Sequence, residues 1–557
     1  MDMKKNSPID RFWLLIKPDK KEIRNIYIYA FFNGIVILSL PIGIQSIINL
    51  IQGGNISTSW IVLVVLVILG TILSGILQIH QMIITEHLQQ KIFTRAAFEF
   101  TYRIPRIKLE KIYNHYAPEL MNRFFDVVSV QKGLSKILID FSTASIQTLF
   151  GLLLLSLYHP FFIVYSLILL ALVYSIFKLT ARPGLETSLT ESKHKYEVAH
   201  WLEEMARTSV SFKLAGHTEL PLKRVNEYTE SYVDSRDSHF YVLKNQYILM
   251  VVFKVLVAAG LLIVGSLLVM EQQMNIGQFV AAEIIILLVM GSVEKLILSL
   301  ETIYDVLTSL EKLGQISDLE LDSETGVEIN THASDKGLSV KLRNVDFAYP
   351  GQSMNVLEDA SLEVKPGERV MVTGFSDSGK TTLLYLLAGL YKVDSGHLIL
   401  NDLPIDNYNP LILRSIIGDC LMDELLFEGT LLENITMGRP KATQENVMWA
   451  IEKLELLDFV WSLPNGLDTV LHPQGKRFSK GIIDKIILAR SIVDMPQLLL
   501  VKDVFSSLIG EEKEKIMDFI LSKDHPWTVV VASQDKDLRG KVDRVILSEN
   551  KKLKEIG

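Results

Sequence analysis

The amino-acid sequence predicts two structural classes in one chain: an all-α membrane domain of six helices, followed by an α/β domain. Three observations lead to this prediction. Hydrophobic residues make up 49% of the 557 positions, and the mean hydropathy of +0.27 is high for a soluble enzyme. Long apolar stretches occupy the chain up to Leu300. Beyond them, short alternating segments are typical of β-strands.

Six apolar stretches approach the roughly 20 residues that a helix needs to cross a bilayer. They are Ile26–Ile51, Trp60–Ile84, Ile137–Tyr158, Phe161–Ala181, Gln246–Met270 and Ile276–Leu300. The short connections between them contain no lysine or arginine, whereas the N-terminal segment and the long connections 85–136 and 182–245 contain many. Because positively charged loops stay inside, both termini and both long connections are predicted to be cytoplasmic.

The two long connections carry mixed charge at helical spacing and few glycines. This pattern predicts that the membrane helices continue into the cytoplasm. Two loose loops are the alternative. Pro41 is expected to kink the first span.

The pattern after Leu300 changes to alternating segments such as "LSVKLRNVDFAY" and buried-strand runs such as "ERVMVTG" and "TVVVAS", with helical stretches between them. This alternation predicts a parallel-sheet α/β domain. A polar stretch marks the boundary. The predicted domains are residues 1–317, with six spans and long cytoplasmic helical extensions, a linker at 318–336, and the α/β domain at 337–557.

Net charge, cysteine content and the N-terminal segment bear on nucleic-acid binding, disulfide formation and signal-peptide cleavage. The net charge of −8 and the pI near 5.9 give no indication of a nucleic-acid surface. The single cysteine, Cys420, excludes an intramolecular disulfide and is interpreted as a packing residue. The N-terminus lacks an apolar core followed by a cleavage site, so we expect it to be retained.

A glycine-rich loop stands between a buried strand and an apolar helix in "ERVMVTGFSDSGKTTLLYLLAGL". Its residues are Gly374, Phe375, Ser376, Asp377, Ser378, Gly379, Lys380, Thr381 and Thr382. The glycines let backbone N–H groups curl around phosphate oxygens, Lys380 adds positive charge, and the Thr381 hydroxyl is a candidate Mg²⁺ ligand. The loop predicts nucleotide binding; a structural glycine turn is the alternative.

Further landmarks resemble the half-transporters of the ABC exporter family, over nearly the whole chain. "NVDFAYP" resembles the strand whose aromatic residue stacks on adenine, which would be Tyr349. "LRSIIGDCLMDELLFEGTLLENITMG" resembles the segment with the sensing glutamine, and "GLDTVLHPQGKRFSKGIIDKIILARSIV" the signature region. "VVVASQDKDL" resembles the strand that ends in the switch histidine. The resemblance implies an ABC nucleotide-binding domain that binds ATP, in a dimer embedded in a lipid bilayer.

Several landmark residues differ from the family's pattern, although the phosphate loop and Tyr349 retain it. The altered positions are Met422 (the sensing glutamine), Ser479-Lys480-Gly481-Ile482 (S-G-G-Q), Lys502 (the metal-linked aspartate), Asp503 (the catalytic glutamate), Ile509 (a later aspartate) and Gln534 (the switch histidine).

These substitutions predict ATP binding with impaired hydrolysis. Asp503 is one methylene shorter than glutamate, and Gln534 cannot carry the charge of histidine. The ammonium of Lys502 would repel Mg²⁺, so we expect the ion to be held less firmly at Thr381. A slow but working ATPase is the alternative.

The partner chain is affected as well, because in this family the nucleotide lies between the phosphate loop of one chain and the signature of the other. Lys480 and Ile482 would therefore alter the partner's site. A homodimer would have two impaired sites, and a heterodimer with an intact half-transporter would complete neither. The sequence leaves both dimers open.

Charged residues inside the spans are candidates for a transport cavity, because an unpaired charge is costly in lipid. Lys254 and Glu283 are such residues, and Asn33 and Gln45 add polar groups. The alternative for Lys254 is an ion pair with Glu294.

The leading hypothesis is a subunit that exports an unknown substrate across the cytoplasmic (inner) membrane of a bacterium. In that hypothesis, ATP binding matters more than turnover. The alternative is a nucleotide sensor or assembly partner of another half-transporter that does not itself transport.

Overall fold

The structure, a computed structural model, describes residues 7–52, 58–113, 117–327, 337–421, 425–472 and 478–556. Contacts within the chain group the described residues into two compact units. One is formed from Met1–Pro105 and Tyr116–Leu319, and the other from Arg106–His115 and Glu320–Gly557. The short segment Arg106–His115 thus belongs to the second unit, although in the sequence it lies between two membrane helices.

The first unit is helical, as predicted. The helices up to the end of this half of the chain are α1 (Pro8–Ile16), α2 (Lys20–Ile37), α3 (Ser39–Gln52), α4 (Thr58–Arg103), α5 (Leu109–Ile112, in the second unit), α6 (Ala117–Asn122), α7 (Asp126–Lys136), α8 (Ser142–Ser156), α9 (Pro160–Arg207), α10 (Ser209–Leu214), α11 (Leu220–Gly260), α12 (Ser266–Met270) and α13 (Ile276–Ser317). Among the described residues, six helical stretches are long and apolar enough to cross a membrane.

The long helices confirm that the connections between spans are helical. The helix α4 has 46 residues and α9 has 48. At 1.5 Å per residue each measures roughly 70 Å, more than twice the thickness of the hydrocarbon core of a bilayer. Each helix therefore extends well beyond its apolar stretch.

The first span is interrupted near Pro41. The helix α2 ends at Ile37, and α3 begins at Ser39, so Pro41 lies in the first turn of α3. In the first turn, the N–H that proline lacks would have no partner within the helix. The expected kink is thus a break between two helices.

The second unit contains two main sheets. Its strands are β1 (Val340–Phe347), β2 (Leu357–Val364), β3 (Arg369–Thr373), β4 (Ser395–Leu400), β5 (Leu403–Pro404), β6 (Ile417–Cys420), β7 (Gly429–Thr430), β8 (Val470–Leu471), β9 (Leu498–Lys502), β10 (Thr528–Ala532), β11 (Arg544–Glu549) and β12 (Lys552–Ile556). The antiparallel sheet has the order β2-β1-β4-β5, and the larger sheet has the order β12-β11-β3-β10-β9-β6. A short pair, β7-β8, completes the described strands.

The larger sheet determines where the site residues lie. The strands β11, β3, β10, β9 and β6 are parallel, and β12 is antiparallel at one edge. All residues of β3 and β10 are buried. The carboxyl ends of parallel strands meet at one edge, which is where ligands bind in such sheets. Thr373, Lys502 and Ala532 end neighbouring strands at this edge.

Helices pack around the sheets of the second unit. They are α14 (Lys380–Leu387), α15 (Pro410–Arg414), α16 (Leu431–Thr436), α17 (Gln444–Lys453), α18 (Leu457–Ser462), α19 (Lys480–Ile492) and α20 (Gly510–Leu521). Cys420 is buried in the core formed with these helices, which agrees with its interpretation as a packing residue.

Candidate nucleotide site

The phosphate loop connects β3 to α14 and depends on its glycines. Gly374 has a φ of 152°, and a Cβ there would lie 2.3 Å from the Ser548 carbonyl oxygen. Gly379, with a φ of 92°, precedes the first residue of α14. Both conformations favour glycine. The loop therefore leads into the N-terminus of α14, where free N–H groups can bind anions.

Lys380 lies against its own loop. Its Nζ donates to the carbonyl oxygens of Gly374 and Phe375, at 2.8 Å and 2.6 Å. Burial lowers the pKa of Lys380; Asp503 and Asp377 oppose this effect, and the ammonium of Lys502 adds to it. The charges of Lys502 and Asp503 thus act directly on the lysine of the phosphate loop.

Tyr349 follows β1 and is joined to the helix of the phosphate loop. Its hydroxyl lies 2.9 Å from Thr382 Oγ1. Its ring meets Phe347 and Tyr391 at near right angles, with centroids 5.2 Å and 5.4 Å away. Phe347 and Tyr391 are both buried, so they support Tyr349 from the protein side.

Lys502 and Asp503 stand at the carboxyl end of β9. Lys502 pairs with Ala532 of β10, and the Asp503 backbone N–H donates to the Ala532 carbonyl oxygen at 3.0 Å. Asp503 has a φ of 46°, in the left-handed region. Lys502 is half-buried, and no ion pair joins it to a carboxylate within the described parts of the chain.

Gln534 follows β10 and contacts the phosphate loop. Its Nε2 donates to the Gly374 carbonyl oxygen at 2.8 Å, and the side chain is exposed. The Gly374 carbonyl therefore accepts hydrogen bonds from both Lys380 and Gln534. The structure brings Gln534, Lys502, Asp503 and the loop together at one edge of the sheet.

The altered signature begins α19. Ser479 is the N-cap and accepts a hydrogen bond from the Ile482 N–H at 3.4 Å. Lys480 is exposed, whereas Ile482 packs against the hydrophobic core. Burial raises the pKa of Asp484, although a hydrogen bond from Ser507 opposes this rise. No hydrogen bond or ion pair between described residues joins the signature residues to the phosphate loop of the same chain.

Met422, Ile509 and Phe375 are further predicted positions. Met422 lies outside the described residues. Ile509 is 81% exposed just before α20, and Phe375 is 79% exposed in the phosphate loop. Among the described residues, no group of three or more histidine, cysteine, aspartate or glutamate side chains is placed to hold a metal ion. Mg²⁺ binding at Thr381 stays a prediction.

The polar residues of the spans are placed as follows. Lys254 Nζ lies 2.7 Å from Glu294 Oε2, which is the alternative that the sequence left open. Glu283 is exposed in the single chain, and its place in a cavity stays a prediction.

Asn33 is fully buried and accepts a hydrogen bond from Ser74, so in the single chain it does not line a cavity. Gln45 accepts a hydrogen bond from the Tyr158 hydroxyl at 2.7 Å.

The sequence did not point to Tyr113. This residue lies in the segment Arg106–His115, and its ring stacks on Tyr349, with centroids 4.9 Å apart and planes 8° from parallel. The two tyrosines are far apart in the chain, and a single sequence holds no signal that pairs them.

Comparison with known proteins agrees with this architecture. Residues 23–293 match the family described as the ABC transporter transmembrane region, and residues 357–505 match the family described as ABC transporter. The Bacillus subtilis protein YfiB, an uncharacterized ABC transporter ATP-binding protein, is 30% identical over 247 residues, 44% of this chain and 42% of its own. The ABC multidrug transporter MDR2 of Trichophyton rubrum is 31% identical over 247 residues, 43% of this chain and 18% of its own.

Among solved structures, a bacterial Atm1-family ABC exporter with ATP bound has a TM-score of 0.80 and 17% sequence identity. The match covers 96% of this chain and 94% of that one. This likeness shows the fold. The matched region spans less than half the length of the two curated relatives named above. With both family regions in one chain, six candidate spans and an exporter fold, the chain belongs to the ABC transporter family as a multi-pass membrane half-transporter with an ATP-binding domain.

Proposed function

We propose that this half-transporter exports a substrate across the cytoplasmic membrane of a bacterium and uses ATP binding more than ATP hydrolysis. The observation that carries the proposal is Lys502, which places an ammonium beside an otherwise intact phosphate loop. The asymmetry of lysine and arginine between the connections supports a cytoplasmic location for the nucleotide-binding domain.

The ammonium of Lys502 disfavours Mg²⁺ binding. For charges of +1 and +2 about 5 Å apart at an effective dielectric of 20, the repulsion is roughly 7 kcal/mol before relaxation. A fraction of this energy would weaken Mg²⁺ binding substantially. The same ammonium can compensate phosphate charge, because it is half-buried and has no carboxylate partner among the described residues. Lys380 and Lys502 together would then replace part of the charge that Mg²⁺ normally supplies.

Asp503 and Gln534 disfavour ATP hydrolysis. Hydrolysis needs a carboxylate that reaches the attacking water and a group that stabilises the γ-phosphate. Asp503 has a shorter side chain than glutamate, and its backbone conformation is fixed by the hydrogen bond to Ala532. Gln534 donates to the Gly374 carbonyl, which is a contact between neutral groups. Both groups favour a site that holds ATP and cleaves it slowly.

Lys480 and Ile482 extend the effect to a partner. In a dimer that places the signature over the partner's nucleotide, the exposed Lys480 side chain would stand where glycine allows close approach of the backbone. Ile482 packs into its own core and offers no hydrogen bond to a phosphate. These positions support impaired hydrolysis in either a homodimer or a heterodimer.

The test is a titration of the purified full chain with ATP in Mg²⁺ and in EDTA, together with a phosphate-release assay. We expect the two ATP affinities to differ by less than about threefold and phosphate release to stay near background. The matched control is Lys502→Asp, whose affinity should fall at least about tenfold in EDTA because it depends on the metal. Wild-type affinity that collapses in EDTA, or brisk hydrolysis by the purified chain, would overturn the proposal.

A further inference from the structure

The segment Arg106–His115 is fixed to the nucleotide-binding unit at several points. The Asp322 N–H donates to the Arg106 carbonyl at 2.7 Å, and the Lys108 N–H donates to the Glu320 carbonyl at 3.0 Å. The Lys392 N–H donates to Glu110 Oε1 at 2.9 Å. These contacts place Tyr113 beside Tyr349, the aromatic residue that the family resemblance places on the nucleobase.

Tyr113 covers one face of the Tyr349 ring. The two rings are nearly parallel, at 8°, with centroids 4.9 Å apart, and Gln352 Nε2 donates to the Tyr113 hydroxyl at 3.3 Å. Tyr113 is exposed, whereas Phe347 and Tyr391 on the protein side are buried. A nucleobase therefore cannot stack on the face of Tyr349 that Tyr113 occupies while Tyr113 stays in place.

A nucleobase does not fit between the two rings. Stacked aromatic planes lie about 3.5 Å apart, so a base inserted between two rings would need them roughly 7 Å apart. The observed centroid distance of 4.9 Å is too short for this arrangement. A base can stack on this face of Tyr349 only after Tyr113 has moved away.

We propose that Tyr113 is a specificity-determining residue of the nucleotide site: it takes the place of the base on Tyr349 and so lowers the selectivity for purines. This inference rests on the proposed binding of ATP by the phosphate loop. While Tyr113 is stacked, the site holds a nucleotide mainly through its phosphates, which all nucleoside triphosphates share. A purine gains its stacking energy only by displacing a ring that stacks about as well.

The experiment is to measure the affinities of the full chain for ATP, CTP and inorganic tripolyphosphate by calorimetric titration. In Tyr113→Ala, we expect ATP to bind about 2- to 10-fold more tightly, the range that one aromatic pair allows. The affinity for tripolyphosphate should stay unchanged, and the preference for ATP over CTP should increase. Tyr113→Phe keeps the ring and should behave as the wild type.

The outcomes separate this inference from the function on which it rests. Wild-type protein that binds neither ATP nor tripolyphosphate would refute the proposed ATP binding. Protein that binds both, with an ATP affinity unchanged or lowered in Tyr113→Ala, would refute the role of Tyr113 alone. Tyr113→Leu, which removes the flat ring but keeps apolar bulk, provides the same test if the alanine variant does not fold.

Discussion

The phosphate loop and the carboxyl end of β9 lie side by side at one edge of the same sheet, but they have diverged from the family pattern to different extents. The loop keeps its glycines, Lys380 and the contact between Tyr349 and Thr382. The end of β9 presents Lys502 and Asp503, and Gln534 follows the adjacent strand.

Under the proposed function, this difference separates the features that nucleotide binding needs from those that nucleotide cleavage needs. Binding depends on backbone conformation, which the crowding around Gly374 makes difficult to change. Cleavage depends on a few side chains that the fold does not need. Lys502 pairs with Ala532 in the sheet, and Ser479 caps α19, although Lys502 and Lys480 differ from the family pattern. The fold is therefore retained although the residues expected to support hydrolysis differ from the family pattern.

The strongest test of this comparison is to restore the two residues of the family pattern at the carboxyl end of β9. In the double variant Lys502→Asp, Asp503→Glu, we expect phosphate release to rise about 100-fold, the lower end of what a positioned base contributes. The reason is that the first change supplies a metal ligand and the second restores reach to the water. Each single variant serves as a control. An unchanged rate in the double variant would mean that turnover is limited elsewhere.

The phosphate loop, which retains the family pattern, can be tested with Lys380→Ala. We expect the ATP affinity to fall about 10- to 100-fold, because hydrogen bonds from a charged donor to phosphate are lost. Calorimetric titration measures this change. Lys441→Ala, at an exposed lysine between α16 and α17, is the matched control and should leave the affinity unchanged. Equal affinities for Lys380→Ala and the wild type would show that the loop does not hold the phosphates.

Changing Lys480 in the signature should have a smaller effect on phosphate release. In the Lys502→Asp, Asp503→Glu background, Lys480→Gly is expected to raise phosphate release by a further factor of about three, since glycine allows the partner's nucleotide to approach the backbone. Lys480→Ala, which shortens the side chain but keeps a Cβ, should have less effect. A decrease in rate would instead indicate that the Lys480 ammonium helps to hold the phosphate.

The smallest expected effect is on stability, at Asp484. Burial raises the pKa of this carboxyl in the folded protein, so folding favours its protonated form, and this contribution is lost as the pH rises through the folded pKa. At a pH of about 7.5, Asp484→Asn should therefore melt about 1–2 °C higher than the wild type. The difference should shrink as the pH is lowered towards about 4. A difference that does not vary with pH would contradict this origin.

Much of the fold could be predicted because its signals are local. Hydropathy alone located the six spans, and charge at helical spacing predicted that α4 and α9 extend past them. The strand-loop-helix order placed the phosphate loop. The contact of Tyr113 with this site joins residues distant in the sequence, and nothing in its neighbours reveals the partner. The resemblance of "VVVASQDKDL" indicates Gln534 as a site residue, although not its hydrogen bond to Gly374. Such pairings depend on how the elements pack, which one sequence does not encode in a readable pattern.

The ion pair between Lys254 and Glu294 has a consequence for how the protein is made. An isolated charge at the centre of a helix costs about 2.5–3.5 kcal/mol on the scale of insertion by the translocon. Lys254 and Glu294 lie 2.7 Å apart on α11 and α13, which are joined through α12 and a short turn. We therefore expect the last two spans to leave the translocon together as a hairpin. Glu294→Ala should then reduce the fraction of nascent chains whose fifth span is fully integrated, and an unchanged fraction would show that this span enters the membrane alone.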